Sequence, residues 1–268
     1  MMKKYNCIVV GSGISGLTLA HLLGMSGQSV MLLEKEPTIG GSMSRFYRQG
    51  VPFDTGFHFT GGLATGRQTL RSSQILTDML SILGIEKEIE PVFFKARDSN
   101  RIVLESENKI FSSPLGYEET AEQYKAYFPE EAPGIDRYFE LIRKVCEQTV
   151  ALDLRDISFS QDILEADRLN VSAVINKLIR DPQLKALLCA FSMCYGANPE
   201  EISFADHSRI CYGLYDSLAY IKKGGDAFID AFKAAFTRHS VDIRCKTYIT
   251  GMADIDKKQV GRFILNTG

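Results

Sequence analysis

The 268-residue sequence predicts an α/β fold, and three stretches carry that expectation. Near the start, the apolar run Cys7–Val10 meets closely spaced glycines, then an amphipathic segment, then a second apolar run ending on an acid. In the middle, helical periodicities alternate with short polar turns. Near the end, Gly224-Gly225 opens another helical pattern followed by short apolar runs. A parallel sheet assembled from the first and last pieces, with an α+β region inserted between them, accommodates all three.

The first piece reads in order as strand, turn, helix, strand. Cys7–Val10 suits a strand buried on both faces. Gly11, Gly13 and Gly16 then follow the G-x-G-x-x-G spacing where a strand opens into a helix. Gly11 permits the sharp turn, Gly13 lets backbone approach a diphosphate, and Gly16 lets the helix pack close to the strand. The helix starts near Ile14 and Ser15, with Leu17, Ala20, Leu22 and Leu23 as its inward face and Gly27 as its stop. Its free N–H groups and positive dipole end are suited to an anionic diphosphate. Residues 29–33 form the second strand, and Glu34 stands at its end, where an acid accepts hydrogen bonds from two ribose hydroxyls. An acid there repels a 2′-phosphate, which disfavours NADP. The whole is a Rossmann-like dinucleotide-binding unit.

Farther along, residues 74–83 read as a helix ended by Gly84, and 93–95 and 101–105 as strands joined by a turn at Asp98-Ser99-Asn100. Asn108-Lys109 makes a second turn into 110–112. Helices are expected over 118–127, 135–152, 171–180 and 182–195, the last two separated by Asp181-Pro182. From about residue 216 the chain returns to the dinucleotide domain. The expected boundaries are 1–65 for the first βαβ segment, 66–215 for the substrate or cap region and 216–268 for the return, which is read as incomplete.

Downstream of Glu34 come Gly40-Gly41, Arg45 and Phe53-Asp54-Thr55-Gly56-Phe57-His58, and near the other end Tyr220 precedes Gly224-Gly225. With these motifs the chain resembles the N-terminal half of the FAD-dependent phytoene desaturase, carotenoid isomerase and retinol saturase group, within the amine oxidase-like flavoproteins. The stretches Phe128-Pro129-Glu130-Glu131 and 195–207 are similar as well. The resemblance implies a discontinuous FAD-binding domain. It implies that Gly40 and Gly41 lie along the diphosphate with Ser42 and Arg45 nearby, that Lys35 flanks the adenine and that Ile249 meets it. It also implies that His58, Gly61 and Gly62 approach the isoalloxazine. In relatives an arginine often follows the glycine pair directly, whereas here Ser42 does, and Arg45 comes three residues later. His58 has two open readings, a contact near the flavin or a buried histidine bonded to backbone. Asp54 reads as a turn-capping acid, and His207 as a helix cap or satisfied core histidine.

The resemblance further implies hydride transfer between flavin N5 and a lipophilic, polyene-like substrate, with no protein base required. Phe57, Phe59, Phe93, Phe94, Phe191, Met193, Tyr195, Tyr212 and Tyr215 are candidates either for a hydrocarbon channel or for plain core. The end of the chain, 259–268, reads as a strand whose hairpin partner is missing, so the chain is expected to be truncated at its C-terminus. Two alternatives therefore stand: a split or non-catalytic FAD-binding half completed by a separate chain, and an amine oxidase-type flavoprotein.

Composition narrows the classes. Apolar residues make up 45% and charged residues 24%, ordinary values for a globular protein, and a net charge of −2 offers no field for nucleic acid. Six cysteines are scattered without a C-x-x-C pair, which points to buried reduced thiols rather than a metal site or disulfides. No leader is expected, because Met1-Met2-Lys3-Lys4 runs straight into the first strand. No apolar run approaches the ~20 residues of a spanning helix. A cytoplasmic protein, peripheral to membranes when it handles a lipid, is the expectation.

Overall fold

A computed structural model describes residues 4–65, 74–94, 100–149, 165–256 and 260–267. The chain forms two compact units, each assembled from separated stretches: Met1–His58, Leu80–Pro91 and Ile221–Gly268 in one, Phe59–Met79 and Val92–Tyr220 in the other. The sequence-based boundaries fell at 65 and 215.

The first unit is built on a parallel three-stranded sheet. Strand β1 (Cys7–Val10) pairs with β2 (Val30–Leu33), and β2 pairs on its other side with Asp242–Arg244. All four residues of β2 are buried, as expected for the middle strand of a sheet covered on both faces. Helix α1 (Ile14–Met25) makes the crossover between β1 and β2. Its buried residues are Leu17, Ala20, His21 and Gly24, so the inward stripe follows i, i+3, i+4, i+7, and Leu22, expected inside, is exposed. His21 fills part of that seam, with Nε2 2.8 Å from the Leu83 carbonyl oxygen and Phe232 edge-on to its ring. The helix Gly225–Arg238 buries Phe228, Phe232 and Phe236, again at helical spacing.

One expectation for this unit is overturned. The strand Ile249–Ile255 pairs antiparallel with Val260–Leu265, from Ile249 opposite Leu265 to Ile255 opposite Val260. The segment read as a strand lacking its hairpin partner is itself the return strand. Asp256-Lys257-Lys258-Gln259 between the two strands carries no glycine or proline to mark a hairpin turn in the sequence.

The second unit is mainly helical around an aromatic core. Helices Tyr117–Tyr127, Ala132–Gln148 and Phe204–Asp216 contribute Tyr117, Tyr124, Tyr138, Phe139, Phe204, Tyr212 and Tyr215 to one buried cluster. Ala132–Gln148 follows the rules directly: Pro133 sits in its first turn, and Ile135, Tyr138, Phe139, Ile142, Val145 and Cys146 form its inward face. A hairpin pairs Asn100–Leu104 with Lys109–Ser113 across Asn108, which has φ +51°. The expected helix over 182–195 is broken into Pro182–Leu188 and Ser192–Tyr195. The 13-residue helix Phe204–Asp216, capped by the Ser203 side chain on the Asp206 N–H, was not foreseen. Expected structure at residues 95, 98–99 and 150–152 lies outside the described residues.

The cysteine expectation holds in part. Cys146 and Cys211 are buried, Cys7, Cys189 and Cys245 are half-buried, and Cys194 is exposed; all six are free thiols. Burial raises the Cys146 thiol to about 12 and the Cys189 thiol to about 11, so neither carries thiolate at neutral pH. Among the described residues no group of His, Cys, Asp and Glu could hold a metal, and no helix is long and apolar enough to cross a membrane.

Candidate functional site

The first unit brings together three of the segments singled out in the sequence: the glycine turn, the acid after β2 and the second glycine pair. Gly11 has φ +90°, a conformation that side-chain-bearing residues rarely adopt, and its N–H donates to Leu33 O at 2.8 Å. A Cβ on Gly16 would overlap the Gly11 carbonyl oxygen, so the helix lies against the strand end as closely as backbone allows. A Cβ on Gly13 would meet nothing, which leaves the mouth of the turn open to a ligand. The turn runs into α1 with no side-chain cap, and Ile14 and Ser15 in the first turn are exposed. These N–H groups are thus left for an anion.

Glu34 is buried at 7% exposure, and donors converge on its carboxylate. Ser12 N–H donates to Oε2 at 2.9 Å, the Ser12 hydroxyl donates to the same oxygen, and Glu36 N–H donates to Oε1 at 2.9 Å. Burial pushes the carboxyl upward, but the hydrogen bonds from Ser12, Glu36 and Lys35 outweigh it, so the acid titrates below the usual carboxylate range. A charged acid is therefore held at the end of the middle strand.

The second glycine pair abuts this acid. Gly40 N–H is shared between the Ser12 carbonyl oxygen at 3.0 Å and Ser12 Oγ at 3.2 Å. Gly41 lies so near the turn that a Cβ would come 3.1 Å from Gly13 Cα. Ser42 and Lys35 are exposed. Arg45 is engaged by the protein: its Nε lies 3.0 Å from Asp54 Oδ1, and its Nη1 donates to Lys223 O at 3.1 Å. Asp54 thus anchors an arginine rather than simply capping a turn. The Gly224-Gly225 block is explained by the same packing, since a Cβ on Gly224 would overlap the Asp54 carboxylate and one on Gly225 the Met43 carbonyl oxygen.

The remaining candidates are more dispersed. His58 is exposed, which removes the buried-histidine reading. Ile249 is half-buried opposite Leu265. Gly61 and Gly62 belong to the second unit, where Gly61 packs on the backbone of Gly213 and the Gly62 carbonyl accepts from Leu76 N–H at 2.9 Å. That packing accounts for both glycines. Of the suggested channel residues, Tyr212 and Tyr215 are buried core and Met193 is exposed. His207 is a satisfied core histidine, with Nε2 2.7 Å from Tyr138 Oη and Nδ1 2.8 Å from Tyr195 Oη. Sequence reasoning passed over Ser12, the residue on which the three segments converge. The available signal was a hydroxyl inside the glycine turn whose register faces the acid 22 residues on.

Residues 9–71 match the model of the NAD(P)-binding Rossmann-like domain. Over 98% of its length the chain is 30% identical to an all-trans-retinol 13,14-reductase of Danio rerio, of which it covers 43%. Over 70% it is 29% identical to the chloroplastic prolycopene isomerase 2 of an Oncidium hybrid cultivar, covering 33%. An oxidoreductase from Methanosarcina mazei shares the fold, with a TM-score of 0.60 at 17% identity, over 97% of this chain and 55% of that one. The chain thus spans less than half the length of these sequence relatives. It is an α/β protein with a Rossmann-like dinucleotide-binding domain, related to the retinol 13,14-reductases and prolycopene isomerases.

Proposed function

We propose that this chain is the FAD-binding part of an FAD-dependent oxidoreductase of the phytoene desaturase and retinol saturase type, acting on a lipophilic, polyene-like substrate. The observation that carries this reading is the buried, ionised Glu34 set against an open glycine turn and a second glycine pair. That arrangement fits both ends of an adenosine diphosphate moiety: a diol acceptor at the strand end and free N–H groups at the helix start. Relatedness to a retinol reductase and a carotenoid isomerase supports the flavin and the polyene.

Gly11, Gly13, Ile14, Ser15 and Gly16 would present backbone to the diphosphate, with Gly40, Gly41 and Ser42 on its other side. Glu34 would take the ribose hydroxyls, with Lys35 and Ile249 near the adenine. Arg45, held by Asp54, would act chiefly by fixing the loop after Gly41. His58 remains a candidate for contact near the flavin. When bound, the isoalloxazine supplies hydride chemistry at N5, and the chain's own task is to bind and orient. A protein of this kind would work in the cytoplasm, at membrane surfaces where its substrate resides.

A second reading, an FAD-binding half that acts with a separate chain, is favoured by one observation. The hairpin of the first unit exposes Tyr248, Met252, Ile255, Phe263 and Ile264, an apolar set suited to further protein. Both readings are tested by the visible spectrum of the purified chain and identification of any released flavin. Flavin bands with about one FAD per chain support the proposal, and turnover of a polyene by this chain alone would remove the split-enzyme version. A folded, colourless chain that FAD cannot reconstitute overturns the first reading and leaves a half that awaits its partner chain.

A further inference from the structure

Ser12 is fully buried, and every polar atom of it serves the three converging segments. Its N–H and its hydroxyl both donate to Glu34 Oε2, while its carbonyl oxygen and Oγ share the Gly40 N–H. A serine hydroxyl has one proton to give and lone pairs to accept with, and here the proton goes to the acid and a lone pair faces Gly40. A carboxylate oxygen that receives two donors has its two lone pairs filled. Oε2 is in that state, and Oε1 is met by Glu36 N–H.

We infer that Ser12 is a positioning residue for ribose recognition: its hydroxyl bonds Glu34 Oε2, fixes the carboxylate plane presented to the adenosine diol, and couples that acid to the Gly40 amide. This inference rests on the adenine-dinucleotide reading above and deepens it. Ser12 touches neither the diol nor the diphosphate through its side chain; it acts through Glu34 and Gly40. An alanine there keeps the turn and the N–H bond to Oε2 but frees one lone pair of that oxygen and lets the carboxylate rotate. The second glycine pair loses the shared contact at the same time.

The test is competition against bound FAD by ADP and by 2′,3′-dideoxy-ADP, using wild type, Ser12→Ala, Ser12→Gly and Glu34→Gln, with thermal unfolding measured in parallel. Wild type should prefer ADP. Either Ser12 variant should weaken ADP by about tenfold, the scale of one charge-assisted hydrogen bond, and bring the preference over the dideoxy compound close to that of Glu34→Gln. Equal weakening of both competitors in the Ser12 variants would mean a merely structural role and overturn the inference. So would a wild type that binds FAD yet does not distinguish the two competitors, a result independent of whether the variants fold. A wild type that binds no FAD at all overturns the reading of this chain as an FAD site by itself and, with it, this inference.

Discussion

Glu34 in the first unit and His207 in the second are both buried in webs of hydrogen bonds, and the two webs differ in what they accomplish. In the first unit, Glu34 is surrounded by donors only, from Ser12 and the following backbone, so its charged form is favoured despite burial. In the second, His207 lies between two tyrosine hydroxyls in an aromatic cluster, and desolvation lowers it to about 4. One group is kept charged beside an open turn; the other is kept neutral inside a core. Burial of a polar residue therefore does not mark a site. A charge stabilised by oriented donors beside an open turn makes the stronger candidate.

The largest effect should come from closing the space on which the first web depends. Gly16→Val places side-chain atoms onto the Gly11 carbonyl oxygen, and overpacking against backbone should cost about 3 kcal/mol or more in denaturant unfolding, with loss of FAD retention. His207→Ala should cost a similar amount, about 3 kcal/mol, through the cavity and the loss of its contacts to two tyrosine hydroxyls. Its effect on the FAD dissociation constant should stay within about twofold, because His207 does no binding.

The two webs also predict different acid limbs. His207 is neutral in the folded state and protonates near 6.5 when unfolded, so the unfolded chain binds more protons between about pH 6.5 and 4. Stability is intact above that window and falls as pH drops through it, by about 1.4 kcal/mol per pH unit. Glu34, with its folded-state titration lowered, contributes stability above the usual carboxylate range and loses it only at still lower pH. Denaturant midpoints across pH 4–7 should show the first slope in wild type and a flattened one in His207→Phe. A wild-type midpoint that is level over that range would break the contrast.

Smaller effects sharpen it. Glu34→Gln should lower FAD affinity by about 10- to 100-fold, yet change stability by only about 1 kcal/mol, since an amide retains part of the hydrogen bonding. Lys35→Ala, at an exposed position, should stay within about 0.5 kcal/mol of wild type in unfolding.

The first unit was the more legible in the sequence, for a physical reason. Gly11, Gly13, Gly16 and Glu34 are read by spacing because their roles are local: a turn, a helix start, a strand end. Ser12 was missed because its importance comes from contacts at Glu34 and Gly40, far along the chain, which spacing within a turn does not display. Arg45 followed the same logic, since its partner Asp54 and the Lys223 carbonyl are set by tertiary packing. In the second unit the helical pattern over 135–152 located the helix that buries Tyr138 and Ile142. The break at 189–191 and the Ser203-capped helix were obscured by apolar runs without clear punctuation. The hairpin 249–265 was misjudged because its strands share a weak alternation and no tight-turn signature.

The most direct measurement is a calorimetric titration of FAD into the wild-type chain, Glu34→Gln and His207→Phe at neutral pH. The expected result is one FAD per wild-type chain, binding at least about tenfold weaker in Glu34→Gln and unchanged in His207→Phe. Equal affinities in wild type and Glu34→Gln, or no binding by a folded wild type, would contradict the assignment of the charged web as the cofactor site.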